Sequence, residues 1–145
     1  MKNLSKLNVW YLHYKLGEEY WADEGAKVYK LRKDGTYKLM LPYKNRDGYI
    51  EYVLTNIDKK KKHIMAQIII ATLFVPGRTL ERNEVNHNDG NRSNNLPFNL
   101  KWMTHQENIQ HSYKYLRKWI LIIIYYLLVY KIKRKGLTTC WKHYL

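Results

Sequence analysis

The sequence predicts an α+β fold: antiparallel β-hairpins in the N-terminal half, then a strand–loop–strand–helix unit, then a helical tail. Three observations predict it. Asp-Gly turns separate alternating apolar and polar runs before residue 55, the strongest short-range hairpin signal. An Asn-rich polar loop then divides two short apolar runs between residues 85 and 103, and a Thr-x-x-Glu pair at Thr104 and Glu107 marks a helix start. A length of 145 residues leaves room for one compact domain with an arm or tail.

Taken in order, the first 25 residues mix Trp10, Tyr11, Tyr14, Tyr20 and Trp21 with charged residues and carry no clear period. From Val28 the pattern sharpens. Tyr29, Leu31, Tyr37, Leu39 and Leu41 alternate with Lys30, Arg32, Lys38 and Met40 around Lys33-Asp34-Gly35-Thr36, giving a ribbon with one apolar and one basic face. Such a ribbon suits a DNA groove, and equally a solvated sheet face. A second turn, Asn45-Arg46-Asp47-Gly48, leads into the expected strand over residues 49–54. The Lys59–Lys62 run reads as a solvated loop, or as a phosphate contact if a nucleic acid lies nearby. Residues 63–74 are apolar, with Ile64, Ile68 and Ala71 at helical spacing and a β-branched triple at 68–70 that keeps a strand open. Pro76-Gly77 ends that element.

Composition narrows the partners. The formal charge is +14, from 26 Lys and Arg against 12 Asp and Glu. Such self-repulsion is retained most simply for a polyanionic partner, nucleic acid before an anionic membrane surface. One cysteine, Cys140, excludes an internal disulfide and leaves no basis for a cysteine-bound zinc centre. With no apolar secretory core near Met1, the expected setting is cytoplasmic.

The segment Glu84-Val85-Asn86-His87-Asn88-Asp89-Gly90-Asn91-Arg92-Ser93-Asn94-Asn95, continuing to Asn99-Leu100-Lys101-Trp102-Met103-Thr104 and Glu107-Asn108, holds the chemistry. It resembles the HNH homing-type endonucleases of phages and mobile introns. In those enzymes V-[DN]-H-x-D-G-N is followed by N-N, N-L-x-W-x-T and E-N. His87, Asn99 and Asn108 stand at the family's spacing, and the resemblance extends back to residue 45 through Asp47-Gly48-Tyr49-Ile50.

The resemblance implies a ββα-metal (His-Me finger) motif that hydrolyses DNA phosphodiesters. Hydrolysis needs a water made nucleophilic and a cation against the charge developing on phosphate. On this resemblance His87 is the general base, and Asn86 and Asn108 hold one divalent cation, Mg²⁺ or Mn²⁺. Asn99 orients the histidine or braces the loop. Many relatives carry Asp where this chain has Asn86, so the ion loses a formal charge here and the scissile phosphate must supply more of it. The candidate DNA contacts are Lys30, Arg32, Lys38, Lys60, Lys61, Lys62, Arg92 and His111, with DNA the partner and no small-molecule cofactor. Taken singly, His87 reads as a structural histidine and the asparagines as turn residues; it is the joint pattern that points to catalysis.

The expected organisation is a β-rich DNA-contacting region with a following apolar helix over residues 1–75, the nuclease motif over 76–118, and an apolar and basic tail over 119–145. Residues 119–130 are apolar or aromatic without interruption and are followed by Lys131-Ile132-Lys133-Arg134-Lys135. Twelve residues fall short of the roughly 20 that cross a bilayer, so packing of this run on the core or on a second subunit, membrane-surface contact and an aberrant tail stay open, as does the choice of monomer or homodimer. Two further functions compete with the phage or mobile-element nuclease: a DNA-binding module that keeps the fold without cleavage, and a basic membrane-surface protein that uses the tail.

Overall fold

The computed structural model describes residues 4–7, 10–11, 14–15 and 18–140. Two compact units divide the chain, Met1–Asn108 and Ile109–Leu145. In the first, β1 (Leu4–Lys6), β4 (Tyr20–Asp23), β5 (Val28–Leu31) and β6 (Tyr37–Leu39) form an antiparallel sheet in the order β1-β4-β5-β6, while β2 (Trp10–Tyr11) pairs with β3 (Tyr14–Lys15). The expected Val28 hairpin is β5–β6, in register Tyr29 to Leu39, Lys30 to Lys38 and Leu31 to Tyr37. Its turn closes through Gly35, at φ 81°, a conformation that glycine adopts at no steric cost.

A second sheet comprises β7 (Tyr43–Lys44), β8 (Ile50–Thr55) and β9 (Lys61–Met65), with the Asn45–Gly48 turn joining β7 to β8. Two of its features differ from the sequence expectation. Lys61 and Lys62 lie in β9 rather than in a loop, and the apolar stretch at 63–74 is strand and helix in succession, with α1 (Ala66–Phe74) starting after Met65. Pairing with β8 overrides the helical spacing of Ile64: Tyr52 faces Ile64 and Val53 faces His63 across the ladder.

Helix α1 is the centre of the fold. It touches β4, β8, β9, β10 (Glu84–His87) and β11 (Leu100–Met103), which explains a helix apolar nearly all round. Ile69 and Ile70 are fully buried beside Leu54, Val28, Ala22 and Trp102. Burial at this level contributes about 1.5–3 kcal/mol per large aliphatic side chain. Trp102 Nε1–H donates to the Val75 carbonyl at 3.1 Å, joining the end of α1 to β11. Tyr20, on β4, accepts from the Thr55 N–H at 3.0 Å and so ties the first sheet to the second.

Strands β10 and β11 pair antiparallel, a 3₁₀ turn at Pro97–Asn99 leads into β11, and α2 (His105–Cys140) follows. Both halves of the capping box form: Glu107 N–H donates to Thr104 Oγ1 at 3.2 Å, and Thr104 N–H to Glu107 Oε2 at 2.9 Å. In the second unit the side chains from Trp119 to Ile132 are largely exposed, including Trp119, Leu121, Tyr125 and Tyr126. No helix among the described residues is long and apolar enough to cross a membrane.

Candidate active site

The β10–β11 hairpin and the start of α2 bring the motif together. Register sets Val85 opposite Trp102 and His87 opposite Leu100, with Glu84 opposite Met103 and Asn86 opposite Lys101. By strand alternation Val85 and His87 leave one face of β10, and Glu84 and Asn86 leave the other. Val85, Leu100 and Trp102 join the core. Glu84 and Asn86 leave the opposite face, while His87, at the loop end of β10, is buried on the core side and meets Asn95 there.

His87 is buried, at 5% exposure, and its Nε2 lies 3.1 Å from Asn95 Oδ1. Asn95 Nδ2 is directed at the Ser93 carbonyl at 3.4 Å, so the amide turns its oxygen toward the imidazole. An oxygen acceptor at Nε2 holds the proton there and leaves Nδ1 with the lone pair. Burial lowers the His87 pKa, partly offset by the bond to Asn95 and the charge of Asp89. The ring is thus kept in the neutral form that a base requires. Tyr49 packs beside it, with ring centroids 6.1 Å apart.

Asn99 does not touch the histidine. Its Nδ2 donates to Asp89 Oδ1 at 2.9 Å and to the Asn94 carbonyl at 2.8 Å, while its Oδ1 accepts from the Asp89 N–H at 3.1 Å. Of the two roles raised for it, bracing the loop is the one its contacts serve. Asp89 also accepts from Asn94 Nδ2 and from the Asn91 N–H, the latter at 2.7 Å. These bonds hold its carboxyl below the usual carboxylate range against the cost of desolvation.

Asn86 is buried, and its Nδ2 has no hydrogen-bond partner. A buried N–H donor without a partner is rare in protein interiors and calls for an acceptor such as water or a phosphate oxygen, whereas a cation would meet the amide Oδ1. Asn108, on the first turn of α2, donates from Nδ2 to Glu84 Oε2 at 2.7 Å, and the other Glu84 oxygen meets His105 Nδ1 at 2.7 Å. The hydrogen bonds from Asn108 and His105 lower the Glu84 pKa. Among the described residues no three His, Cys, Asp or Glu side chains converge as a metal site. The residues that could hold a hard divalent cation are the Asn86 and Asn108 amides, through their oxygens, with the Glu84 carboxylate bonded to Asn108.

Sequence reasoning read Asn95 as a turn residue and passed over Glu84 and Asp89. Asn95 had a signal in the Asn-Asn pair. Glu84 had one in the alternation that sets it on the same face as Asn86.

The basic candidates divide into groups. Lys30, Arg32, Lys38 and Lys61 line one concave surface with His63, spanning β5, β6 and β9. Lys30 is paired there with Glu18 at 2.6 Å. Lys62 leaves the other face of β9, and Lys60 lies in the exposed turn before it. Arg92 sits over the Tyr49 ring at 4.8 Å and donates to the Asp47 carbonyl at 2.9 Å, while Ser93 Oγ donates to the Gly48 carbonyl at 3.1 Å. The polar loop is therefore fastened to the β7–β8 turn. His111, in the second unit, lies beside Tyr115, with ring centroids 4.8 Å apart and the planes tilted by 55°.

Residues 65–110 match the HNH endonuclease family model. The chain is 32% identical over 105 residues to an uncharacterized HNH endonuclease, L247, of Acanthamoeba polyphaga mimivirus, covering 65% of this chain and 26% of that protein. It is 32% identical over 93 residues to the DNA endonuclease I-HmuI of Bacillus phage SP01, covering 64% of this chain and 51% of the phage protein. The solved structure describing DNA binding and cleavage by the HNH homing endonuclease I-HmuI superposes with a TM-score of 0.58 at 30% identity, covering 68% of this chain and 55% of that one. The matched region thus spans about a quarter of one curated relative and about half of the other.

Proposed function

We propose that this chain, which matches the HNH endonuclease family model over residues 65–110 and is similar to I-HmuI, hydrolyses DNA phosphodiesters with one divalent cation, as a homing-type nuclease of a phage or mobile element. The observation that carries the reading is the His87–Asn95 pair: a buried imidazole held neutral, with its proton kept at Nε2 by an amide oxygen.

In this reading His87 takes the proton of the attacking water at Nδ1 while Asn95 keeps the ring in place. Asn86 and Asn108 would hold the cation, which would offset the negative charge that builds on the phosphate and leaving oxygen. Asn99 and Asp89 keep the loop between the strands from collapsing onto the site. Lys101, exposed directly opposite Asn86, is placed to meet a phosphate oxygen. The concave surface of Lys30, Arg32, Lys38 and Lys61 supplies sequence-independent attraction for the backbone, and Lys60, Lys62, Arg92 and His111 are further contacts.

The test is cleavage of supercoiled plasmid and phage genomic DNA with Mg²⁺ or Mn²⁺, and with EDTA. His87→Ala is expected to lower metal-dependent cleavage by about 10²- to 10⁴-fold, the range of a general base. Equal cleavage by the two proteins sinks the assignment of His87. Salt-sensitive binding without cleavage of any substrate, including one carrying the cognate site, favours a DNA-binding module.

A further inference from the structure

Resting on the proposed metal-assisted reaction, we propose that Glu84 is a positioning residue of the cation site: it turns the Asn108 amide so that its carbonyl oxygen faces the ion, and it restores the negative charge that Asn86 lacks.

The Asn108 amide is asymmetric. One end of the Asn108 side chain donates and the other accepts, and only the oxygen can ligate a hard cation. An ionised carboxylate accepts hydrogen bonds and gives none. With Glu84 Oε2 at 2.7 Å from Nδ2, the flipped amide would set two oxygens against each other, so one orientation is selected. In that orientation Oδ1 points away from Glu84. Asn108 sits on the first turn of α2, whose start is pinned by the Thr104–Glu107 box, so its backbone is fixed as well. Both Glu84 oxygens are engaged, Oε2 by Asn108 and Oε1 by His105 at 2.7 Å. That arrangement suits a group that acts through Asn108 more than one that binds the ion itself.

Charge supplies the second strand of the case. The two amides assigned to the ion are neutral, and Lys101 stands opposite Asn86 on the same face. Glu84 is two residues before Asn86, hence also on that face. Its carboxylate is only partly exposed, so its field at the site is screened less than that of a surface charge. Partners one step behind a metal ligand commonly change metal affinity by about 10- to 100-fold when removed.

Titration with Mn²⁺ alone tests the proposal, following paramagnetic broadening of the Asn86 side-chain amide in the nitrogen–proton spectrum of wild type, Glu84→Gln, Glu84→Ala and Asn108→Ala, and of the Asn108 amide in the three proteins that keep it. In wild type the Asn108 amide protons should show the shift of a carboxylate-bonded group and should broaden at the lowest Mn²⁺ concentration. Glu84→Gln keeps an acceptor and loses the charge, so it should retain an ordered Asn108 amide while binding Mn²⁺ more weakly. Glu84→Ala loses both and should bind about 10-fold more weakly or worse, with unfolding temperature recorded to confirm that the variants fold. Wild-type Mn²⁺ affinity in both Glu84 variants, with Asn108→Ala impaired, overturns the role of Glu84 and leaves the cation site intact. Wild-type affinity in Asn108→Ala as well overturns the underlying reading of the site, and the role of Glu84 with it.

Discussion

In the proposed reaction the Asn95 amide would decide which nitrogen of His87 acts as the base. Its oxygen lies 3.1 Å from His87 Nε2 and its nitrogen is held by the Ser93 carbonyl, so two bonds of opposite polarity fix the amide and the amide fixes the ring. Asn95→Ala removes the acceptor and leaves the buried Nε2–H without a partner. The imidazole is then free to turn or to change tautomer. Single-turnover cleavage at saturating DNA is expected to fall by up to about 100-fold, the scale of an angstrom-level misplacement, with DNA affinity unchanged. An unchanged cleavage rate would show that something other than Asn95 orients the ring. Glu84 and Asp89 each bond an asparagine that the motif already contained, Asn108 and Asn99 respectively.

Among the elements, α2 matters because its first turn carries Asn108. The reciprocal bonds between Thr104 and Glu107 satisfy donors that a helix start otherwise leaves to water. Thr104→Ala should cost about 1 kcal/mol of unfolding free energy, read as a lower midpoint in urea at unchanged slope. It should also weaken metal-dependent cleavage, since the turn that presents Asn108 frays. A loss of stability with full cleavage would separate the cap from the site. This box was legible in the sequence because both partners lie within one turn. The β5–β6 and β8 hairpins were legible for the same reason, with Gly35 and Gly48 at positive φ in their turns. Strand β9 was not. The pairing of Lys61–Met65 with β8 and the burial of Ile64 are settled across the ladder, and helical spacing in that stretch describes only the residues from Ala66 onward. The candidate site divides along the same line. Motif spacing located His87, Asn99 and Asn108, while the contacts of Glu84 with Asn108 and of His87 with Asn95 arise only when strand, loop and helix are folded together.

At the scale of the whole molecule, a formal charge of +14 is an asset only if a polyanion collects it. The concave surface on the first unit shows where part of the charge is concentrated. Lys30 and Lys38 are direct cross-strand partners, and like charges in that position destabilise a sheet by up to about 1 kcal/mol. Glu18 offsets one of them at 2.6 Å, and Arg32 and Lys61 add to the excess. Phosphates bound there would relieve the repulsion and release counterions. Each phosphate contact contributes about 0.9 to the slope of log affinity against log salt. Replacing Lys30, Arg32 and Lys38 with Gln is therefore expected to lower that slope by about 2 to 3, uniformly across DNA sequences, as measured by fluorescence anisotropy on an uncleaved duplex in EDTA. The remaining cations, including those flanking the apolar run of α2, belong to both proteins and cancel in the comparison. A wild-type slope in the triple variant would place the phosphate contacts elsewhere, and the same substitutions in Lys60, Lys62 and Arg92 would then be the discriminating set.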